Sequence, residues 1–76
     1  MKIVVNGAWR EVAAGDAALE PTRESPTLEA VLVNLGFGQS IVATALNGEF
    51  VAAGARARTR VRDGDRVEVL APMAGG

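Results

Sequence analysis

A chain of 76 residues, 49% of them hydrophobic and 22% charged, is long enough for one small domain, and this composition excludes an intrinsically disordered segment. Cysteine and histidine are absent, which excludes disulfides, thiol nucleophiles, cysteine or histidine zinc ligands and an imidazole general base. A formal net charge of −1 gives no overall attraction to nucleic acid or to a membrane, and no apolar run approaches the ~20 residues that span a bilayer.

The first predicted element is a β-hairpin. Asn6-Gly7 lies between two segments of β-forming residues, and Asn-Gly favours the type I′ turn because both of its central residues need a positive φ. We expect antiparallel strands at about residues 2–6 and 8–13. The apolar side chains expected on their shared face are Ile3, Val5 and Val12.

A helix is predicted after a loop that covers about residues 13–25. Ser25 is expected as its N-cap and Pro26 as its first residue, and Gly36 is expected to end it in the left-handed conformation. The resulting helix has about ten residues, with Glu29 in its first turn and Phe37 folding back on it. Its apolar stripe consists of Leu28, Val31, Leu32 and Leu35.

Two further turns organise the C-terminal half of the chain. Asn47-Gly48 predicts a second hairpin, and Asp63-Gly64 predicts another turn before a strand that ends at Leu70. Val67 and Val69 alternate with Glu68 and Leu70 along this strand, and Leu70 is expected to close the core. The order β-β-α-β-β-β indicates an α+β domain over residues 1–70, with a mixed four- to five-stranded sheet on one main helix.

Four arginines alternate in the sequence ARARTRVR. In an extended segment, Arg56, Arg58, Arg60 and Arg62 would lie on one face. This pattern is typical of a solvated surface, but it also suits docking to an acidic partner through Arg56 and Arg58. Nucleic acid is disfavoured, since no aromatic residues are interleaved for base stacking.

Two other features have a structural and a functional interpretation. Asp63 and Asp65 flank a glycine, which favours turn residues over a magnesium site. Trp9 is expected to cover the edge of the core, with an exposed recognition role as the alternative. We find no pattern that predicts a bound cofactor or metal, and no set of catalytic residues for an enzyme that acts alone.

Residues 71–76, APMAGG, are predicted to form a flexible tail. Gly76 has no side chain to crowd its acyl carbon, and Gly75 allows backbone conformations that other residues avoid. Six extended residues span roughly 20 Å, enough to carry the tail into another protein's active site. The alternative is an ordinary frayed end. Met73 is accordingly either an apolar contact for a partner or simply a residue of the tail.

The order of elements, together with the segments VNG, ALNGEFV and DGDRVEVL and the final GG, resembles the ThiS-like sulfur carriers of the ubiquitin-like β-grasp superfamily. The resemblance covers most of the chain except about residues 14–25. It implies a protein cosubstrate rather than an enzyme, with Gly76 adenylated and then converted to a thiocarboxylate, and Gly75 providing clearance. The residues expected to contact partners are Pro72, Met73, Ala74, Arg56 and Arg58.

The resemblance also implies the partners. They are a ThiF-like adenylating enzyme that uses ATP and Mg²⁺, a sulfur donor system, and thiazole synthase, which receives the sulfur for the thiazole of thiamin. We expect a cytoplasmic monomer with no nucleic-acid or membrane partner. The alternatives are a carrier like the small subunit of molybdopterin synthase, whose tail is similar, and a ubiquitin-like modifier or interaction module.

Overall fold

The computed structural model describes residues 1–12, 25–38 and 40–71, which form a five-stranded sheet packed against one α-helix. The elements in chain order are β1 (Lys2–Val5), β2 (Ala8–Glu11), α1 (Leu28–Asn34), β3 (Ala43–Leu46), β4 (Glu49–Val51), a 3₁₀ helix (Ala53–Arg58) and β5 (Arg66–Leu70). The strand order in the sheet is β2-β1-β5-β3-β4. The β1–β5 pair is parallel and the other neighbours are antiparallel, so the sheet is mixed as predicted.

Both Asn-Gly pairs form the two-residue turns that the sequence predicts. Asn6 and Asn47 have φ values of 50° and 51°, and the glycines that follow them have 86° and 87°. Positive φ at both central positions is the requirement of a type I′ turn. The flanking pairs Val5↔Ala8 and Leu46↔Glu49 close the two hairpins.

The core lies between the sheet and α1. Strand residues alternate between this core and the opposite face, so that Val67 and Val69 are buried while their neighbours on β5 are exposed. The predicted inward faces of the first hairpin and of the helix are confirmed, with Leu35 partly buried. The buried apolar side chains are Ile3, Val5, Val12, Leu28, Val31, Leu32, Val51, Val61, Val67 and Val69.

The helix begins later than the sequence predicts. Thr27 is its N-cap, with its Oγ1 accepting a hydrogen bond from the backbone N–H of Ala30 at 3.1 Å. Ser25 is therefore not the cap, and Pro26 precedes the helix. Thr27 is extended because it forms an antiparallel bridge with Arg60, and this tertiary pairing shortens α1 to seven residues.

The end of α1 follows the prediction. Gly36 has a φ of 96°, and its N–H donates to the carbonyl of Val33 at 3.0 Å. The N–H of Phe37 donates to the carbonyl of Leu32 at 2.7 Å, which completes a Schellman motif. Phe37 packs against the core, as expected.

Candidate functional site

The central strand β5 delivers the chain to the candidate site. It lies between β1 and β3 and ends at Leu70, and Ala71 is the last described residue after it. The predicted tail residues therefore lie outside the described residues, apart from Ala71, and their roles stay predictions. These residues are Pro72, Met73, Ala74, Gly75 and Gly76.

Both Asn-Gly turns are bonded to β5 through their asparagine side chains. Asn47 Oδ1 accepts from the N–H of Arg66 at 2.9 Å, at the start of the strand. Asn6 Oδ1 accepts from the N–H of Val69 at 2.8 Å, and Asn6 Nδ2 donates to the carbonyl of the same residue at 3.0 Å. The strand before the tail is thus held at each end by a different hairpin.

An apolar patch surrounds the point at which β5 ends. We use this name for Ile41, Ala43, Ala45, Phe50 and Leu70. Sheet pairing places Ala43 beside Leu70 and Ala45 beside Phe50. Ile41, Phe50 and Leu70 are 83%, 73% and 68% exposed, although large apolar side chains of this kind are usually buried. Contiguous exposed apolar side chains are typical of a protein contact surface.

The exposure of Leu70 corrects one prediction and reveals the patch. Leu70 does not close the core, because Val69 takes the inward position and the next residue on the strand must face outward. The same alternation puts Phe50 outward beside the buried Val51. Strand alternation could therefore have identified Phe50 and Leu70 from the sequence, whereas nothing in the pattern singles out Ile41.

The predicted arginine stripe is wrong. Residues 53–58 form a 3₁₀ helix instead of an extended segment, so alternate side chains do not share a face. Arg56 donates from its guanidinium to Thr44 Oγ1 at 3.0 Å and to the Val42 carbonyl at 2.5 Å. Arg58 bonds the carbonyl of Gly54, within its own helix. Partner binding by Arg56 and Arg58 stays a prediction, with Arg56 already engaged in the fold.

The predicted position of Trp9 is also wrong. Trp9 is 66% exposed on the edge strand β2, where it pairs with Val4 on the sheet face that points away from the core. Its side chain lines a shallow cleft with Lys2, Arg10 and Glu11. Trp9 is exposed, as the alternative requires, and its recognition role stays a prediction. The cleft lies at the opposite edge of the sheet from the Phe50 strand.

The two aspartates of the D-x-D pattern are turn residues, as predicted. Asp63 Oδ1 accepts from the N–H of Lys2 at 2.6 Å, while Asp65 accepts from Asn47 Nδ2 and from the N–H of Arg62. Among residues 1–12, 25–38 and 40–71, no group of three or more acidic side chains could hold a metal ion. No helix within the same ranges is long and apolar enough to cross a membrane.

A mixed five-stranded sheet that wraps one helix, with a central last strand leading to Gly-Gly, defines a β-grasp domain of the ubiquitin-like class. The model of the ThiS family matches residues 3–76. The crystal structure of the thiamine biosynthesis protein ThiS from Geobacter metallireducens is 35% identical in sequence, with a TM-score of 0.74 and full coverage of both chains. The chain belongs to the ThiS family, the sulfur-carrier family that its sequence pattern resembles.

A curated relative extends the likeness to a larger protein. A thiazole synthase from Paramagnetospirillum magneticum (strain ATCC 700264 / AMB-1) is 37% identical over 76 residues, which is all of this chain. The chain spans only 20% of that relative's length. A protein named for thiazole synthesis thus contains a segment similar to this whole domain.

Proposed function

We propose that this domain is a sulfur carrier for thiazole formation in thiamin biosynthesis, with Gly76 carrying the sulfur as a thiocarboxylate. The observation that carries the proposal is the family match over residues 3–76, which extends past the described sheet to include Gly75 and Gly76. The similar segment in a thiazole synthase supports the thiamin pathway over the molybdopterin alternative.

The chemistry needs only the backbone of this chain. A carboxylate oxygen of Gly76 attacks the α-phosphorus of ATP on an adenylating enzyme of the ThiF class, and pyrophosphate leaves. A sulfide equivalent from the sulfur donor system then attacks the acyl carbon, so that a C–S bond forms and the C–O bond to AMP breaks. The thiocarboxylate is the form that thiazole synthase receives. The chain is a cosubstrate in these steps, and it contributes no acid or base.

The apolar patch provides the contact surface for these partners. It surrounds the end of β5, so a protein that holds the patch also holds the start of the tail. Glu68 pairs with Ala45 and adjoins the patch, where it places a negative charge beside the apolar groups. Desolvated apolar groups with few charges are typical of the centre of a protein interface.

An intact-mass measurement tests the proposal. The chain is co-expressed with its adenylating enzyme and sulfur donor system, and we expect an ATP-dependent exchange of one oxygen for sulfur at Gly76. The control is a chain that lacks Gly76, which should show no exchange and an unchanged melting temperature. A wild-type chain that forms neither the adenylate nor the thiocarboxylate would overturn the proposal.

A further inference from the structure

The backbone of β1 stops before β5 does. On this side of β5, the N–H of Val4 donates to the carbonyl of Asp65 and the N–H of Asn6 donates to the carbonyl of Val67. The parallel pairing covers only Val4↔Arg66 and Val5↔Val67, because the chain then turns at Asn6 towards β2. No backbone group of β1 is left in this pairing for Val69, the last buried residue before the tail.

The side chain of Asn6 takes the place of the missing peptide group. An asparagine amide has the same donor and acceptor as a backbone peptide. Its Oδ1 accepts from the N–H of Val69 at 2.8 Å and its Nδ2 donates to the carbonyl of Val69 at 3.0 Å. The pairing of the central strand is thus extended by two hydrogen bonds, and both are made by one side chain.

We infer that Asn6 is a positioning residue for the tail: it fixes the end of β5, from which the reactive glycine is presented. This inference rests on the proposed function. Without the amide, the backbone groups of Val69 lose their partners on the β1 side, and the strand end opens to solvent more often. When the end of β5 is not fixed, binding of the tail in a partner's active site must also order the strand end, which adds an entropic cost. The reactive glycine is then presented in a productive geometry less often.

The second Asn-Gly turn offers a matched control. Asn47 has the same φ as Asn6 to within 1°, precedes a glycine in the same way, and bonds β5 at its first residue, Arg66. Replacing either asparagine by glycine keeps the backbone conformation, because glycine adopts positive φ without strain. Asn6→Gly and Asn47→Gly therefore both remove side-chain bonds to β5, but at opposite ends of the strand.

Two measurements on the full chain test the inference. Amide hydrogen exchange should become about tenfold faster at Val69 and Leu70 in Asn6→Gly, the effect of losing partly buried hydrogen bonds, and not in Asn47→Gly. The Leu70 amide is the informative one, since Leu70 pairs with Ala43 of β3 and not with Asn6. In ATP-dependent adenylation by the activating enzyme, Asn6→Gly should raise KM or lower kcat several-fold relative to Asn47→Gly, at a comparable melting temperature.

The outcomes separate this inference from the proposed function. Failure of the wild-type chain to be adenylated would overturn the proposed function, and exchange at Leu70 would still decide whether Asn6 holds the end of β5. Normal adenylation of the wild-type chain, with equal kinetics and equal Leu70 exchange in the two variants, would overturn the positioning role and leave the proposed function intact.

Discussion

Arg56 donates a hydrogen bond from Nε to Thr44 Oγ1, and this hydroxyl in turn donates to the carbonyl of Val51. The bond joins the 3₁₀ helix to the buried face of β3, since Thr44 is 2% exposed. The guanidinium of Arg56 also bonds the carbonyl of Val42. Arg56, which the sequence pattern predicts on a solvated stripe, therefore connects the 3₁₀ helix to β3. We call these bonds of Arg56 the brace.

This brace predicts a difference between the two arginines. Arg56→Ala should lower the free energy of unfolding by about 1–3 kcal/mol, because two charge-assisted hydrogen bonds are lost and a buried hydroxyl loses a partner. Arg58→Ala should change it by no more than about 0.5 kcal/mol, since an exposed side chain bonding its own helix contributes little. Urea denaturation followed by circular dichroism measures both. Equal losses in the two variants would contradict the brace.

The apolar patch predicts a loss of binding without a loss of stability. Phe50→Ser and Leu70→Ser remove exposed apolar surface, so each should weaken binding to the adenylating enzyme by about 1–3 kcal/mol while the melting temperature changes little. Val33→Ser is the control, since Val33 is 61% exposed on the helix, which packs on the sheet face opposite to Phe50 and Leu70. Titration calorimetry gives the affinities. Unchanged binding in both patch variants would show that partners contact another surface.

Gly36, at the end of α1, predicts that replacing it by alanine destabilises the fold through the backbone conformation. Gly36 has a φ of 96°, and an added Cβ would meet no atom within 4 Å, so Gly36→Ala should cost about 1–2 kcal/mol from the backbone alone. Gly54→Ala is the matched change, because the space around Gly54 is equally open and its φ lies outside the left-handed range. We expect Gly54→Ala to be neutral or slightly stabilising. Thermal unfolding of the two variants provides the comparison.

The turn at Asp63 and Asp65 predicts that divalent cations do not change the stability of the domain. Hydrogen bonds from the N–H of Lys2, the N–H of Arg62 and Asn47 Nδ2 engage three of the four carboxylate oxygens of Asp63 and Asp65, which disfavours coordination of a hard cation. Adding millimolar Mg²⁺ or EDTA should therefore leave the melting temperature unchanged. A rise in melting temperature that saturates with Mg²⁺ would assign this turn a metal-binding role.

Local signals predicted the parts of the fold that depend on local chemistry. Asn-Gly demands positive φ wherever it forms a two-residue turn, and Gly36 ends a helix for the same reason, so these positions could be read from the sequence. The start of α1 could not, because Thr27 is held extended by Arg60, a residue distant in the sequence. The arginine stripe failed for a similar reason: a repeat of two residues suits a strand, but this segment is helical.

The candidate site likewise has features that depend on the local sequence and features that depend on contacts between distant residues. The two final glycines are visible in the sequence, and the outward direction of Leu70 follows from Val69 being buried. The patch is a product of strand order, which brings Phe50 of β4, Ala45 of β3 and Leu70 of β5 to one face. Short sequence windows carry no information on that order. The bonds from Asn6 to Val69 are equally invisible there, since they join residues 63 positions apart.

The position of β5 at the centre of the sheet has a consequence for folding kinetics. Each Asn-Gly hairpin joins neighbouring segments and can form rapidly, whereas pairing β5 with β1 must bring together residues such as Val4 and Arg66 from opposite ends of the domain. We therefore expect the slow step of folding to be the docking of β5 between two preformed hairpins. In stopped-flow experiments, destabilising changes in the two turns should mainly lower the folding rate, since the hairpins form before this step. Contacts of β5 that form only after this step should affect mainly the unfolding rate.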